Sequence, residues 1–445
     1  MTVTIRSHER FIRGRFLACC ISATLLLVGV SGLGAPAQLK ATNSCEPGAL
    51  DSNSGKCECP IGYTAGNVGK LPLCFRGNPD VVAMTPIGRV EQISLGGDVS
   101  CALISNRKVK CWGSNSDGQI GDGTTVQRNV PTSVKDLSGI TQIAAGGHHA
   151  CALLEDRTVK CWGENAQGQL GDGTTTARLV PTTVTGLDHV AQISAGYRHT
   201  CARLDSNVVK CWGYNKYGQV GDGTTTNAEV PSAIPELSNV AQVATGGLHT
   251  CVRLSNGSAL CWGSNAVGQL GDGTTIDRPK PIAVTGLTDV AEIALGADQS
   301  MHSCARLLDG SMKCWGRNKL GQLGDGTTTD HPRPTVVLDV KSAVSIAINI
   351  GHSCARLKDG TAMCWGYNVF GQLGDGTNSE HQTAIAIEGL DKVTSIAVGA
   401  GHTCATRKDG SIACWGGNAN GQLGVLSSDR CEDRVSCSLK PLVVQ

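Results

Sequence analysis

The motif C-x9-C-W-G occurs seven times in this 445-residue chain. Its first cysteines are Cys101, Cys151, Cys201, Cys251, Cys304, Cys354 and Cys404, spaced by 50 residues except for a 53-residue step between the fourth and fifth. All seven tryptophans directly follow the second cysteine. A unit repeated at such a period buries its apolar face against its neighbours rather than alone. In the third repeat, Val190–Gly196, His199–Leu204, Val208–Gly213 and Val230–Ile234 are rich in strand formers and separated by Gly, Asn and Asp turns. Four short strands per unit predict a propeller blade. No unit has a long apolar stripe of helical period, and glycines interrupt every segment. The expected fold is therefore all-β, a seven-bladed β-propeller over residues 86–445. Its repeats begin near 90, 140, 190, 240, 290, 343 and 393. The strand near Val90–Leu95 is expected in the blade of the C-terminal strand, or in the adjoining one, because closing the ring removes exposed sheet edges.

The hairpin between the cysteines sets whether they can bond. In the sixth repeat a two-residue Asp-Gly turn would send the two sulfurs to opposite faces. A three-residue loop, Lys358-Asp359-Gly360, places Cys354 opposite Cys364. Gly257, Gly310, Gly360 and Gly410 fill the third loop position, and Asn207 in the third repeat. Arg107 and Arg157 suit it less well. A non-hydrogen-bonded pair brings Cα atoms to about 4.5 Å, compatible with a disulfide. Seven bridges are expected within blades: Cys101–Cys111, Cys151–Cys161, Cys201–Cys211, Cys251–Cys261, Cys304–Cys314, Cys354–Cys364 and Cys404–Cys414. Free core thiols and zinc ligation are the competing readings. The spacing on one hairpin lacks the short knuckle of a zinc site. Cys431 and Cys437, in a longer loop of the last repeat, are expected to pair.

The N-terminus carries Arg6, Arg10, Arg13 and Arg15, then an apolar run over 16–30 and Ala35-Pro36-Ala37. This reads as a signal peptide, residues 1–37, or alternatively an uncleaved signal anchor. Without those residues, which also hold Glu9, the formal charge moves from +1 to −2. That balance excludes a general nucleic-acid binder, which needs a Lys/Arg-rich face. The expected location is secreted or at the cell surface, with no membrane span after signal cleavage and a monomeric state. Residues 38–85 hold Cys45, Cys57, Cys59 and Cys74 and look like part of an EGF-like module, read as a small disulfide-stapled cap or spacer.

The run from Gly146 to Gly171, with its G-x-x-H start and its W-G-x-N-x-x-G-Q-L-G end, resembles the regulator of chromosome condensation (RCC1-like) repeat. The resemblance covers residues 90–444 and implies a seven-bladed propeller. An export signal and paired cysteines mark this chain as an exported, bacterial-type variant. Eukaryotic members include a chromatin-docked guanine-nucleotide exchange factor, so the resemblance implies that regulatory function as an alternative.

Six histidines stand two residues before the first cysteine: His149, His199, His249, His302, His352 and His402. Val99 takes the place in the first repeat. They are read as buried side chains satisfied by backbone groups between blades rather than a metal ring. Asp122, Asp172, Asp222, Asp272, Asp325 and Asp375 of the Gly-Asp-Gly-Thr runs are read as turn formers rather than calcium ligands. No catalytic set, metal site or cofactor is predicted. The positions that vary within the frame lie after W-G, where repeats three to six supply Tyr214, Tyr217, Val267, Arg317, Leu320, Tyr367 and Phe370. Aromatic residues and Arg are favoured anchors of protein interfaces. The expected function is a protein-binding or cell-surface-ligand-binding scaffold acting through this arc, without catalysis. An enzyme with its active site in the central channel is the second alternative.

Overall fold

The computed structural model describes residues 87–444 except 236 and 432–434, and the backbone alone of 63–68 and 71–76. The chain divides into two units, Met1–Asn78 and Pro79–Gln445. In the first, Tyr63–Val68 pairs antiparallel with Leu71–Arg76. Cys74 lies in that second strand, while Cys45, Cys57 and Cys59, like the expected signal peptide, fall outside the described residues.

The second unit is seven four-stranded antiparallel sheets, each built from one continuous stretch of chain. Blade one runs Val90–Leu95, Val99–Ile104, Lys108–Gly113, Arg128–Ser133, and blade seven Val393–Val398, His402–Arg407, Ile412–Gly417, Cys437–Val444. The inner strands of all seven blades surround a central channel with a cavity of about 280 Å³. No helix occurs among the described residues. In the third repeat the outer strand is Ala228–Ala233, starting two residues before the expected one because Gly213 pairs with Ala228 across an irregular register.

The cysteine geometry follows from the hairpin. Cys201 pairs directly with Cys211, and in blade six Leu357 N–H donates to Thr361 O, leaving a three-residue loop. The third loop residue is left-handed in every blade, including Arg107 (φ 61°), Arg157 (φ 67°) and Asn207 (φ 64°). All seven expected bridges are formed, with Cα atoms 4.1 Å apart in each. Cys431–Cys437 is bridged too, at 5.9 Å.

Each seam between blades repeats one lock. The tryptophan of one blade donates its Nε1–H to the glutamine carbonyl of the blade before it, as Trp212 does to Gln169 O at 2.9 Å. Its ring lies over Gly171, whose φ is +69° and where an added Cβ would stand 2.7 Å from Trp212 Nε1. The C-W-G and G-Q-L-G motifs are thus the two halves of one joint. Ring closure uses the same joint: Trp112 of blade one donates to Gln422 O of blade seven at 2.9 Å. Val90 N–H also donates to Gly410 O. The first strand therefore lies in the blade adjoining the C-terminal strand.

The six histidines form a second tier of the same seams. Thr200 Oγ1 donates to Gln169 O at 2.9 Å, so its proton is committed and His149 Nε2–H donates to it at 2.8 Å. The same chain of imidazole, hydroxyl and glutamine carbonyl recurs for His199, His249, His302, His352 and His402, the last reaching Ser100 across the closure. This corrects the expectation of backbone partners: the direct partner is a hydroxyl of the next blade, and only that hydroxyl reaches the backbone. Burial depresses each of the six imidazoles to about 3. Gly146 is required beside His149, since a Cβ would meet its ring at 2.5 Å. Blade one has Val99, and the facing position of blade two is Ala150 rather than Ser or Thr, so both members of the pair are absent together.

Replacing Thr200 by Val should leave the buried His149 donor without an acceptor and cost about 1–3 kcal/mol. Thr200→Ser should restore most of it, as Ser100, Ser303 and Ser353 fill this position elsewhere. Urea denaturation of the two variants checks both halves.

Candidate functional site

Antiparallel alternation puts the loop between the first two strands of each blade and the variable loop after W-G at the same end of the ring. The backbone confirms it, with Tyr214 N–H donating to Arg198 O at 2.8 Å. The variable loop is held rigid by its constant residues. Asn215 Oδ1 accepts from Val220 N–H, and its amide reaches Thr224 O and Thr226 O. Gln219 Oε1 accepts from Tyr217 N–H. The Gly-Asp-Gly-Thr aspartates serve the same loops: Asp122 accepts from both the N–H and hydroxyl of Thr124 and pairs with Arg128 at 2.6 Å. Partial burial opposes ionisation of Asp122, but these hydrogen bonds together outweigh it and hold the carboxyl below its usual range.

On this frame the expected arc divides into clusters. Tyr214 and Tyr217 meet edge-on at 6.3 Å in blade three, with Lys216 5.8 Å from the Tyr217 ring. Tyr367 and Phe370 form an equivalent pair at 6.3 Å in blade six. Leu320 of blade five joins the second pair, since both it and Tyr367 border Gly351 within about 3 Å of where a Cβ would stand. Arg317 is exposed and turns to the Met301 sulfur at 3.8 Å. The aromatic pairs are half-buried, so each presents an edge on a fixed base.

Between the clusters lies a polar group that the motifs did not single out. The three extra residues of the 53-residue step belong to the loop between Leu295 and His302. This loop covers the channel mouth. Asp298 N–H donates to Asn349 Oδ1 at 3.0 Å, and Asn349 reaches Gly96 O of blade one and Val398 O of blade seven. Gln299 donates to the Tyr197 hydroxyl at 3.3 Å, and Tyr197 stacks edge-on with His148 at 5.9 Å. Burial raises Asp298 to about 6, with Asp98 adding to the shift and His148 opposing it. Burial also raises Asp98, which accepts from Asn420 and Gln422. The one departure from the 50-residue spacing was the available signal for this group. Among the described residues, no three His, Cys, Asp or Glu side chains gather as a metal site.

The fold, with one disulfide inside each of its seven blades, defines a disulfide-reinforced seven-bladed propeller whose variable loops emerge at one end. The RCC1-like domain model matches residues 61–302, and the regulator of chromosome condensation (RCC1) repeat model matches 309–356 and 359–406, with a second repeat model over 343–372 and 393–422. The chain belongs to the RCC1-like family. Among similar solved structures is yeast RCC1 (Prp20) bound to Kap60, at 22% identity over 80% of this chain and 85% of that one, TM-score 0.66. Prp20p from Saccharomyces cerevisiae, described with its binding to Gsp1p and histones, matches at 22% over 81% and 86%, TM-score 0.65. Human WBSCR16 matches at 24% over 76% and 94%, TM-score 0.65. At these identities the likeness is one of fold.

Proposed function

We propose that this protein is an exported binding scaffold that captures a protein or cell-surface ligand on its loop-bearing face, without catalysis. The observation that carries the reading is the pair of aromatic clusters, Tyr214/Tyr217 and Leu320/Tyr367/Phe370, raised on loops that blades three, five and six hold by the same Asn and Gln hydrogen bonds. The family frame fixes those loops through Asn and Gln hydrogen bonds, so the aromatics lose little freedom on binding. Protein binding is also how the Prp20 relatives are described. The basic, apolar N-terminal segment and the buried disulfides support export.

The test is a pull-down from the extracellular fraction with the full chain, compared with the Tyr214→Ala, Tyr217→Ala, Tyr367→Ala, Phe370→Ala quadruple variant. Loss of at least 100-fold in affinity is expected for the captured ligand, since each anchor is worth about 1 kcal/mol or more. Undiminished capture by a folded quadruple variant would refute the reading.

A further inference from the structure

The opposite end of the channel carries a different irregularity. Two residues after the first cysteine, blades one and two have Leu103 and Leu153, blades three to six have Arg203, Arg253, Arg306 and Arg356, and blade seven has Thr406. All seven positions share one register, each facing the third residue of the inner strand. The leucines pack into the seam between blades. Arginine takes that place in blades three to six, and three of the four side chains border the channel rim. Arg203, Arg253 and Arg306 line one open cavity of about 300 Å³, together with Gln192, Gln242 and Glu292.

The charge in this cavity is unbalanced. Glu292 is its one carboxylate, and it is engaged by Arg306 Nε at 3.2 Å. The Nε atoms of Arg203, Arg253 and Arg356 are buried without a protein acceptor, while Arg203 Nη1 donates to Asn207 Oδ1 at 3.1 Å. The glutamines do not serve as acceptors for them: Gln192 and Gln242 bind the backbone of the next blade, donating to Val243 O and Ile293 O and accepting from Val243 N–H and Ile293 N–H. Half-buried guanidinium groups crowded on one rim repel one another, and an unfilled donor costs free energy. A frame that accepts leucine at this position has no packing need for four consecutive arginines.

We infer that this end of the channel binds a compact oxyanion of two or more negative charges, held by the guanidinium groups of Arg203, Arg253 and Arg306. Planar N–H forks match carboxylate and phosphate oxygens alike, and a cavity of this size takes a small molecule. The site lies at the far end of the ring from the aromatic clusters and is independent of them.

Isothermal titration of the oxidised full chain with sodium pyrophosphate and, in a separate arm, with citrate tests the assignment and distinguishes the phosphate from the carboxylate source. Binding in at least one arm is expected, weakening as NaCl is raised. Arg203→Leu with Arg253→Leu copies what blades one and two already carry, so the ring should fold. It should weaken binding at least 30-fold. Glu292→Gln, which copies Gln142, Gln192 and Gln242, removes the competing carboxylate and should tighten binding several-fold. Heat from neither anion, or affinity unmoved by the double leucine change in a chain with normal circular dichroism, would overturn the inference. So would equal weakening by Tyr214→Ala and Tyr217→Ala.

Discussion

Acidification from pH 7 to pH 5 is expected to lower the stability of the ring steeply, through its buried imidazoles. Six buried imidazoles are held near 3, against about 6.5 in an unfolded chain. Below 6.5 the unfolded state takes up protons that the folded state refuses. The contribution is therefore fully present above pH 6.5 and is lost as pH falls from there toward 3. Each histidine changes stability by about 1.4 kcal/mol per pH unit across that window, so six together approach roughly 8 kcal/mol per unit. Asp298, raised to about 6, acts in the opposite sense, and so do Asp98, Glu164, Glu292 and Glu380, whose carboxyls burial also raises, but these offset only part of the loss from six imidazoles. The aspartates held below their usual range, such as Asp122 and Asp172, contribute losses only beneath about pH 4. Urea midpoints at pH 7, 6 and 5 measure the effect, and His199→Gln should reduce the slope by roughly one sixth of the whole. Equal midpoints at pH 7 and 5 would show that the imidazoles are not buried neutral.

Reduction of the blade disulfides is expected to be the second large perturbation. The cysteines of all seven bridges are almost wholly buried, so reductant should not reach them in the folded ring. Unfolded in guanidinium without reductant, the chain should leave Cys101 through Cys414 of the seven pairs unalkylated. With reductant, all of them should react. Each bridge closes a loop of sequence separation 10. On the chain-entropy model that is worth about 2–3 kcal/mol, though the hairpins are local and the values do not simply add. Refolding under reducing conditions should give a midpoint far below that of the oxidised chain, or no cooperative transition. Mass spectrometry that found the blade cysteines alkylated in unreduced, denatured protein would remove the central support for the fold's stability and for export.

The blade count, the four strands, the three-residue loop and the pairing of Cys354 with Cys364 were all legible in the sequence. They depend on local rules: strand alternation, turn length and the left-handed third loop residue. The burial of the six histidines was legible too, because a polar residue between small ones on a two-sided strand has nowhere to go but a seam. Their partners were not. His149 and Thr200 lie 51 residues apart, and nothing in one repeat says which hydroxyl of the next comes within reach. The partner-face residues were recognisable as variation within a frame, yet their division into two clusters around a polar mouth depends on blades three and six being separated around the ring.

Periodicity alone thus dictates the class of fold, the ring and its sulfur clamps, because each is decided within about 50 consecutive residues. Closure through Trp112 and Gln422, the loop of Asp298 over the channel mouth and the gathering of Arg203, Arg253 and Arg306 required the assembled ring. These contacts join residues of different blades, and only the curvature of seven packed sheets brings them to one axis.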